Sequence, residues 1–117
     1  LLQESMTVAE RIISEFSAQV KRDGRRFLVL YVPRGTDEIA GEIAEQDLWL
    51  PWITAVTQRL DVPLLNPIDD LRERQVAGDA VYDDHWSPIG HEVISRFLAR
   101  ELCQRTTLEC RADARDL

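Results

Sequence analysis

The sequence predicts an α/β fold of three layers, doubly wound, with a parallel sheet between helices. Three observations predict it. Phe27-Leu28-Val29-Leu30-Tyr31-Val32 is apolar without alternation, which is how a strand reads when helices cover both its faces. Val62-Pro63-Leu64-Leu65-Asn66 reads as a second, shorter strand that Pro67 stops. Helical periodicity lies between and around these runs, and a right-handed crossover then makes the strands parallel neighbours. Only two strands are legible where doubly wound folds use about five. Leu1 is also not an initiator methionine. The expectation is therefore a piece of a longer polypeptide, with a partial domain over residues 1–104 and a polar tail over 105–117.

Taken in order, Thr7-Val8-Ala9-Glu10 fits a capping box, and Val8, Ile12, Ile13, Phe16 and Val20 recur at steps of three and four. A helix over 7–22 follows, with Lys21 and Arg22 at its negative end and Gly24 as the C′ residue. Pro33 ends the first strand, and Arg34-Gly35-Thr36-Asp37 lies beyond its C-terminal edge, where open α/β sheets bind ligands. Residues 38–50 are ambiguous: Ile39, Ile43, Leu48, Trp49 and Leu50 suit a short helix or a lid, and Gly41 weakens both. Pro51 suits the first turn of a helix that places Trp52, Ile53, Val56 and Leu60 on one face. Trp49 and Trp52 read either as a cleft lining or, for Trp52 in register with the stripe, as core. A short helix over Ile68–Gln75 gains from Asp69 and Asp70 near its N-terminus. Residues 76–82 are then a loop. Ser87 as N-cap and Pro88 at N1 start a last helix, whose face of Ile89, Val93, Ile94, Phe97, Leu98 and Leu102 runs to about Gln104.

With 117 residues, 44% hydrophobic and 30% charged, the chain has the composition of one ordinary globular domain. A net charge of −7 and the lack of a basic stripe argue against a nucleic-acid partner. No apolar run approaches the ~20 residues of a membrane span, and no signal peptide opens the chain. Cys103 and Cys110 would sit about 10 Å apart within one helix, too far for a disulfide. A bridge requires the chain to leave the helix near Thr106-Thr107; two unpaired thiols are the alternative.

Chemistry concentrates in Asp83-Asp84-His85-Trp86-Ser87-Pro88-Ile89-Gly90-His91. A carboxylate two residues before a histidine, on a loop that ends at a helix start, can hold the imidazole in one tautomer and stabilise its protonated form. Asp83 and His85 are the candidate acid and base. Asp84, Trp86 and Gly90 are supporting positions, with Asp84 expected to face solvent. His91, inside the helix, is expected to be buried or bonded to backbone. The bland alternative is a helix entrance without chemistry. Asp83, Asp84, His85 and His91 lack a recognised metal-ligand spacing, so no metal and no cofactor are expected.

The α-β-α-β-α-loop-α order and Tyr82-Asp83-Asp84-His85-Trp86-Ser87-Pro88-Ile89-Gly90-His91 resemble the C-terminal part of an SGNH (GDSL-type) hydrolase. The D-x-H-W form is similar to the bacterial branch of polysaccharide O-acetyltransferases and carbohydrate acetylesterases. The resemblance covers roughly residues 7–104 and implies a flavodoxin-like fold, a bacterial periplasmic or extracytoplasmic location with the cytoplasm still open, and Asp83 and His85 as two members of a Ser-His-Asp triad. The sequence departs from the family in its nucleophile. Ser5, Ser14 and Ser17 lack the Gly-Asp-Ser context, Ser87 reads as a cap, and Asn66 sits where the family often has Asp.

Two function classes follow. One is an ester hydrolase or O-acyl(acetyl)transferase acting on an acylated carbohydrate or small ester, this chain bearing the Asp/His half and being inactive alone. The other is a non-catalytic module of the same type that binds a glycan or a partner protein. Self-association through open sheet edges is expected in either case.

Overall fold

The computed structural model of the chain describes residues 1–42, 49–106 and 110. It divides into two compact units, one of Leu1–Leu30 with Asp47–Leu64 and one of Tyr31–Gln46 with Leu65–Leu117. Helix dominates both, and the strands are short. Ile43 and Leu48, assigned above to a helix or lid, lie outside the described residues.

The first unit opens with helix α1, Leu2–Arg22, which starts five residues before the expected boundary. The capping box does not form, because Thr7 already sits inside the helix and its hydroxyl donates to the Gln3 carbonyl at 2.9 Å. The C-terminus does follow the sequence. Gly24 takes φ 69°, its N–H donates to the Lys21 carbonyl, and Arg25 N–H reaches back to Val20, the paired bonds of a Schellman ending. The expected core face of α1 is only partly buried: Ile13 and Val20 are half-buried, whereas Val8, Ile12 and Phe16 are exposed. Phe16 packs edge-on to Phe27 with ring centroids 5.1 Å apart.

Helix α3 spans Trp49–Arg59 and brings Pro51 into its first turn, where a missing N–H costs no helical bond. Ile53, Val56 and Val62 are buried, and Trp52 is half-buried beside Trp49 in an edge-to-face pair. Thr57, also buried, satisfies its hydroxyl on the Ile53 carbonyl at 2.8 Å. Lys21 Nζ donates to the Leu60 carbonyl at 2.9 Å, and Arg59 pairs with Glu10, so the two helices of this unit are tied at polar points as well. Asp61, at φ 53°, makes the left-handed turn into the second strand.

Strands β1, Val29–Leu30, and β2, Leu64–Leu65, form a two-stranded sheet. Val29 N–H donates to the Pro63 carbonyl at 2.9 Å and Tyr31 N–H to the Leu65 carbonyl at 2.8 Å, and the equal step on both sides makes the pair parallel. The fold is thus mixed α/β with the expected parallel pairing, but only two residues of each apolar run enter strands.

The second unit holds α2, Thr36–Ala40, which Gly41 ends at φ 83°, and α4, Ile68–Val76, one residue longer than expected. Ile68 N–H is capped by the Asn66 side chain at 3.1 Å, and Arg72 Nε donates to the Ile39 carbonyl at 2.7 Å. Residues 76–82 are not all loop. Tyr82–Asp83 forms β3, which pairs antiparallel with β4, His85–Trp86. Helix α5, Pro88–Arg105, follows with Ser87 as N-cap. Ile39, Leu71, Val81 and Val93 form a buried cluster in this unit, with Tyr82, Trp86, Ile89 and Ile94 packed around them.

Helix α5 ends at Arg105, and Thr106 is extended with φ −125°. Leaving the helix there brings the Cα atoms of Cys103 and Cys110 to 5.8 Å, and the two cysteines form a disulfide. A loop of this length contributes about 2 kcal/mol by limiting the unfolded chain. Urea unfolding with and without dithiothreitol should differ by about that amount. A thiol reagent in urea should find no free thiol before reduction; two free thiols there would contradict the bridge.

Candidate functional site

The stretch from Tyr82 to Trp86 folds as a ribbon of two short strands turned through a single residue. Asp84 occupies the tip at φ 54°, a left-handed conformation that Asp tolerates better than most side chains. Asp83 stands opposite His85, and Tyr82 opposite Trp86. Opposed residues share a face and successive residues alternate. Tyr82 and Trp86 accordingly pack on the core, edge to face at 5.2 Å, and Asp83 and His85 are exposed together with Asp84.

Two contacts seat this ribbon on α5. Ser87 N–H donates to the Val81 carbonyl at 3.2 Å, and the Ser87 hydroxyl accepts from Gly90 N–H at 3.0 Å. Gly90 is buried against the ribbon. A Cβ there would collide with the Val81 carbonyl oxygen and stand 2.9 Å from Trp86 Cε3. The supporting position assigned to Gly90 therefore has a steric cause: only a glycine lets the helix approach the strand this closely.

At the tip, the Asp84 carbonyl oxygen is the shared acceptor. Tyr82 Oη donates to it at 2.8 Å, and His85 Nδ1 lies 2.6 Å from it. A carbonyl can only accept, so Nδ1 carries the proton in neutral His85 and the Nε2 lone pair is left for a reactant. Among the described residues no carboxylate oxygen lies within 4.0 Å of a ring nitrogen of either histidine. Asp83 shares the face of His85, but it is the backbone of Asp84 that engages the ring. Tyr82 is the participant that the sequence reading missed; its signal was its place two residues before the turn residue. His91 is exposed, not buried, because its position on α5 falls outside the Val93–Phe97 stripe.

Ser87 is engaged as the cap, and Ser5, Ser14 and Ser17 all lie on α1 in the other unit. Among the described residues, no group of three or more His, Cys, Asp or Glu side chains could hold a metal ion. A second polar cluster follows β1. The buried Glu38 carboxylate accepts from Tyr31 Oη and, at 2.8 Å, from Arg34 N–H. Burial pushes the Tyr31 phenol above its ordinary value, the Glu38 hydrogen bond and charge push the same way, and Arg34 opposes them. These contacts fasten the Arg34-Gly35 loop to α2.

Compared with known proteins, the chain matches no family model, no curated protein and no solved structure. Its function has to be read from its own residues.

Two outcomes test the geometry. Gly90→Ala would gain about 1 kcal/mol of helix propensity, but the overpacking it causes costs about 1–3 kcal/mol, so urea unfolding should show a net loss of about 1 kcal/mol. A stabilised variant would mean that the ribbon does not press on α5. Long-range proton–nitrogen correlation at high pH should show His85 protonated at Nδ1, unchanged in Asp83→Asn because the acceptor is backbone. A dominant Nε2–H tautomer would contradict the contact.

Proposed function

We propose that this chain bears the acid/base half of an SGNH-like site, of a carboxylic-ester hydrolase or an O-acyl(acetyl)transferase acting on an acylated carbohydrate or small ester. A three-layer doubly wound arrangement is part of the same reading, and the parallel strand pair supports it. One observation carries the proposal. His85 is exposed on a ribbon fixed to a capped helix, with Nδ1 2.6 Å from the Asp84 carbonyl, which leaves the Nε2 lone pair as the base.

In this reading Nε2 takes the proton of a hydroxyl nucleophile as that oxygen attacks the acyl carbon. It returns the proton to the alkoxide that leaves when the tetrahedral intermediate collapses. Water as the second nucleophile makes the reaction a hydrolysis, and a sugar hydroxyl makes it a transfer. The seryl nucleophile belongs to a block outside the segments described for this site.

A second reading, the non-catalytic module of the same type, is favoured by a separate observation: among the described residues no serine or threonine hydroxyl is hydrogen-bonded to His85. The two readings part on an assay. With a carbohydrate ligand, both expect an O-acetylated oligosaccharide to shift the NMR signals of His85 and Trp86, and absence of any shift would exclude the carbohydrate from both. The enzyme reading expects no p-nitrophenyl acetate turnover by this chain alone. It expects acetate release, lost in His85→Ala, from the longest natural polypeptide containing these residues. Binding without such release would leave the module.

A further inference from the structure

Among the described residues of its unit, the large exposed hydrophobic side chains all lie on α1 or at its entrance. Leu2, Val8, Ile12 and Phe16 are 49%, 56%, 62% and 60% exposed, and Leu1 at the helix entrance is fully exposed. At about 100° per residue, Leu1, Val8, Ile12 and Phe16 fall on one stripe, distinct from the half-buried Ile13 and Val20 side. Large exposed apolar side chains scattered singly need no explanation, but a stripe of this length on one helix marks an interaction surface.

The charges beside the stripe indicate what covers it. Glu4, Arg11, Glu15 and Arg22 all project along one edge of it, and Arg11, Ile12, Glu15, Phe16, Gln19 and Arg22 line an open groove there. Glu4, Arg11 and Glu15 make no ion pair among the described residues, and Arg22 is held only by Gln19, at 2.9 Å. In an antiparallel pair of identical helices, like edges face each other. Place the two-fold axis at the level of Ile13: Glu4 of one copy then faces Arg22 of the other, and Arg11 faces Glu15, each pair occurring twice. The same register sets the second copy's Phe16 between Val8 and Ile12, and its Ile12 between Ile12 and Phe16, so the apolar side chains interdigitate. A parallel pair would instead bring the charged edge against Leu2, Ala9 and Phe16. We infer that the exposed α1 face is the interface of a two-fold, antiparallel homodimer. A membrane surface is the poorer occupant, because α1 balances three acidic against three basic residues on a chain of net charge −7.

Sedimentation velocity over a range of chain concentrations tests this. One helix face is at the small end of specific interfaces, so dissociation on the order of micromolar is expected. Ile12→Asp should leave the circular dichroism unchanged, since the side chain is exposed, and should yield monomer; Val8→Asp is the second variant should the first unfold. Glu4→Arg should weaken the dimer about tenfold, and Glu4→Arg with Arg22→Glu should restore it. A monomer at all concentrations overturns the inference. So does a dimer indifferent to Ile12→Asp and Val8→Asp, a charge reversal without effect, or a monomer that co-sediments with anionic phosphatidylserine vesicles.

Discussion

The close approach of α5 to the carbonyl of Val81 is the contact on which the second unit depends. It exists because residue 90 has no side chain and because Ser87, three residues earlier, turns its hydroxyl back to the Gly90 N–H. One helix start thus does two things. It satisfies an amide that would otherwise lack a partner, and it fixes how deeply the ribbon sinks onto the helix. Trp86 and Val81 then reach the core with Val93, Leu71 and Ile39, and the ribbon's opposite face has nowhere to point but solvent.

That division of faces explains why chemistry sits where it does. Alternation along a ribbon only two residues deep cannot bury Tyr82 and Trp86 without exposing Asp83 and His85. The tip residue completes the arrangement. With Asp84 in the left-handed region, its carbonyl accepts from both neighbouring side chains, the Tyr82 hydroxyl and the His85 ring. A backbone oxygen orients an imidazole as a carboxylate does, but it brings no net charge. The ring is therefore positioned by the Asp84 backbone.

The two units use burial differently. In the second, a compact apolar cluster is surrounded by paired charges, with Arg100 on Asp70 at 2.9 Å and Arg74 on Asp79 at 2.6 Å. In the first, α1 buries one side and leaves a second apolar stripe uncovered. A helix with two apolar stripes can serve its own unit and a partner at once, and the balanced charges along α1 make a second copy an acceptable partner despite the acidity of the whole chain.

The sequence by itself determined the local structure wherever one residue type has one physical use. Gly24 ends α1, Ser87 and Pro88 start α5, and the two apolar runs pair in parallel. It also set the Asp-Asp-His stretch just before the start of α5, where Ser87 caps the helix. It did not decide which side of α1 is buried, since periodicity marks apolar faces without saying what lies against them. It left the α1 start late, because Thr7 and Glu10 fit a cap as well as a helix interior. The Cys103–Cys110 bridge stayed open until the chain was seen to leave the helix at Thr106. The ribbon at 82–86 was hidden, having no glycine at its turn. Its consequence, that His85 is held by the backbone of Asp84 and not by the side chain of Asp83, is a matter of a few ångströms across a turn. Spacing along a chain carries no such distance; only the packing of Val81, Trp86 and Gly90 fixed it.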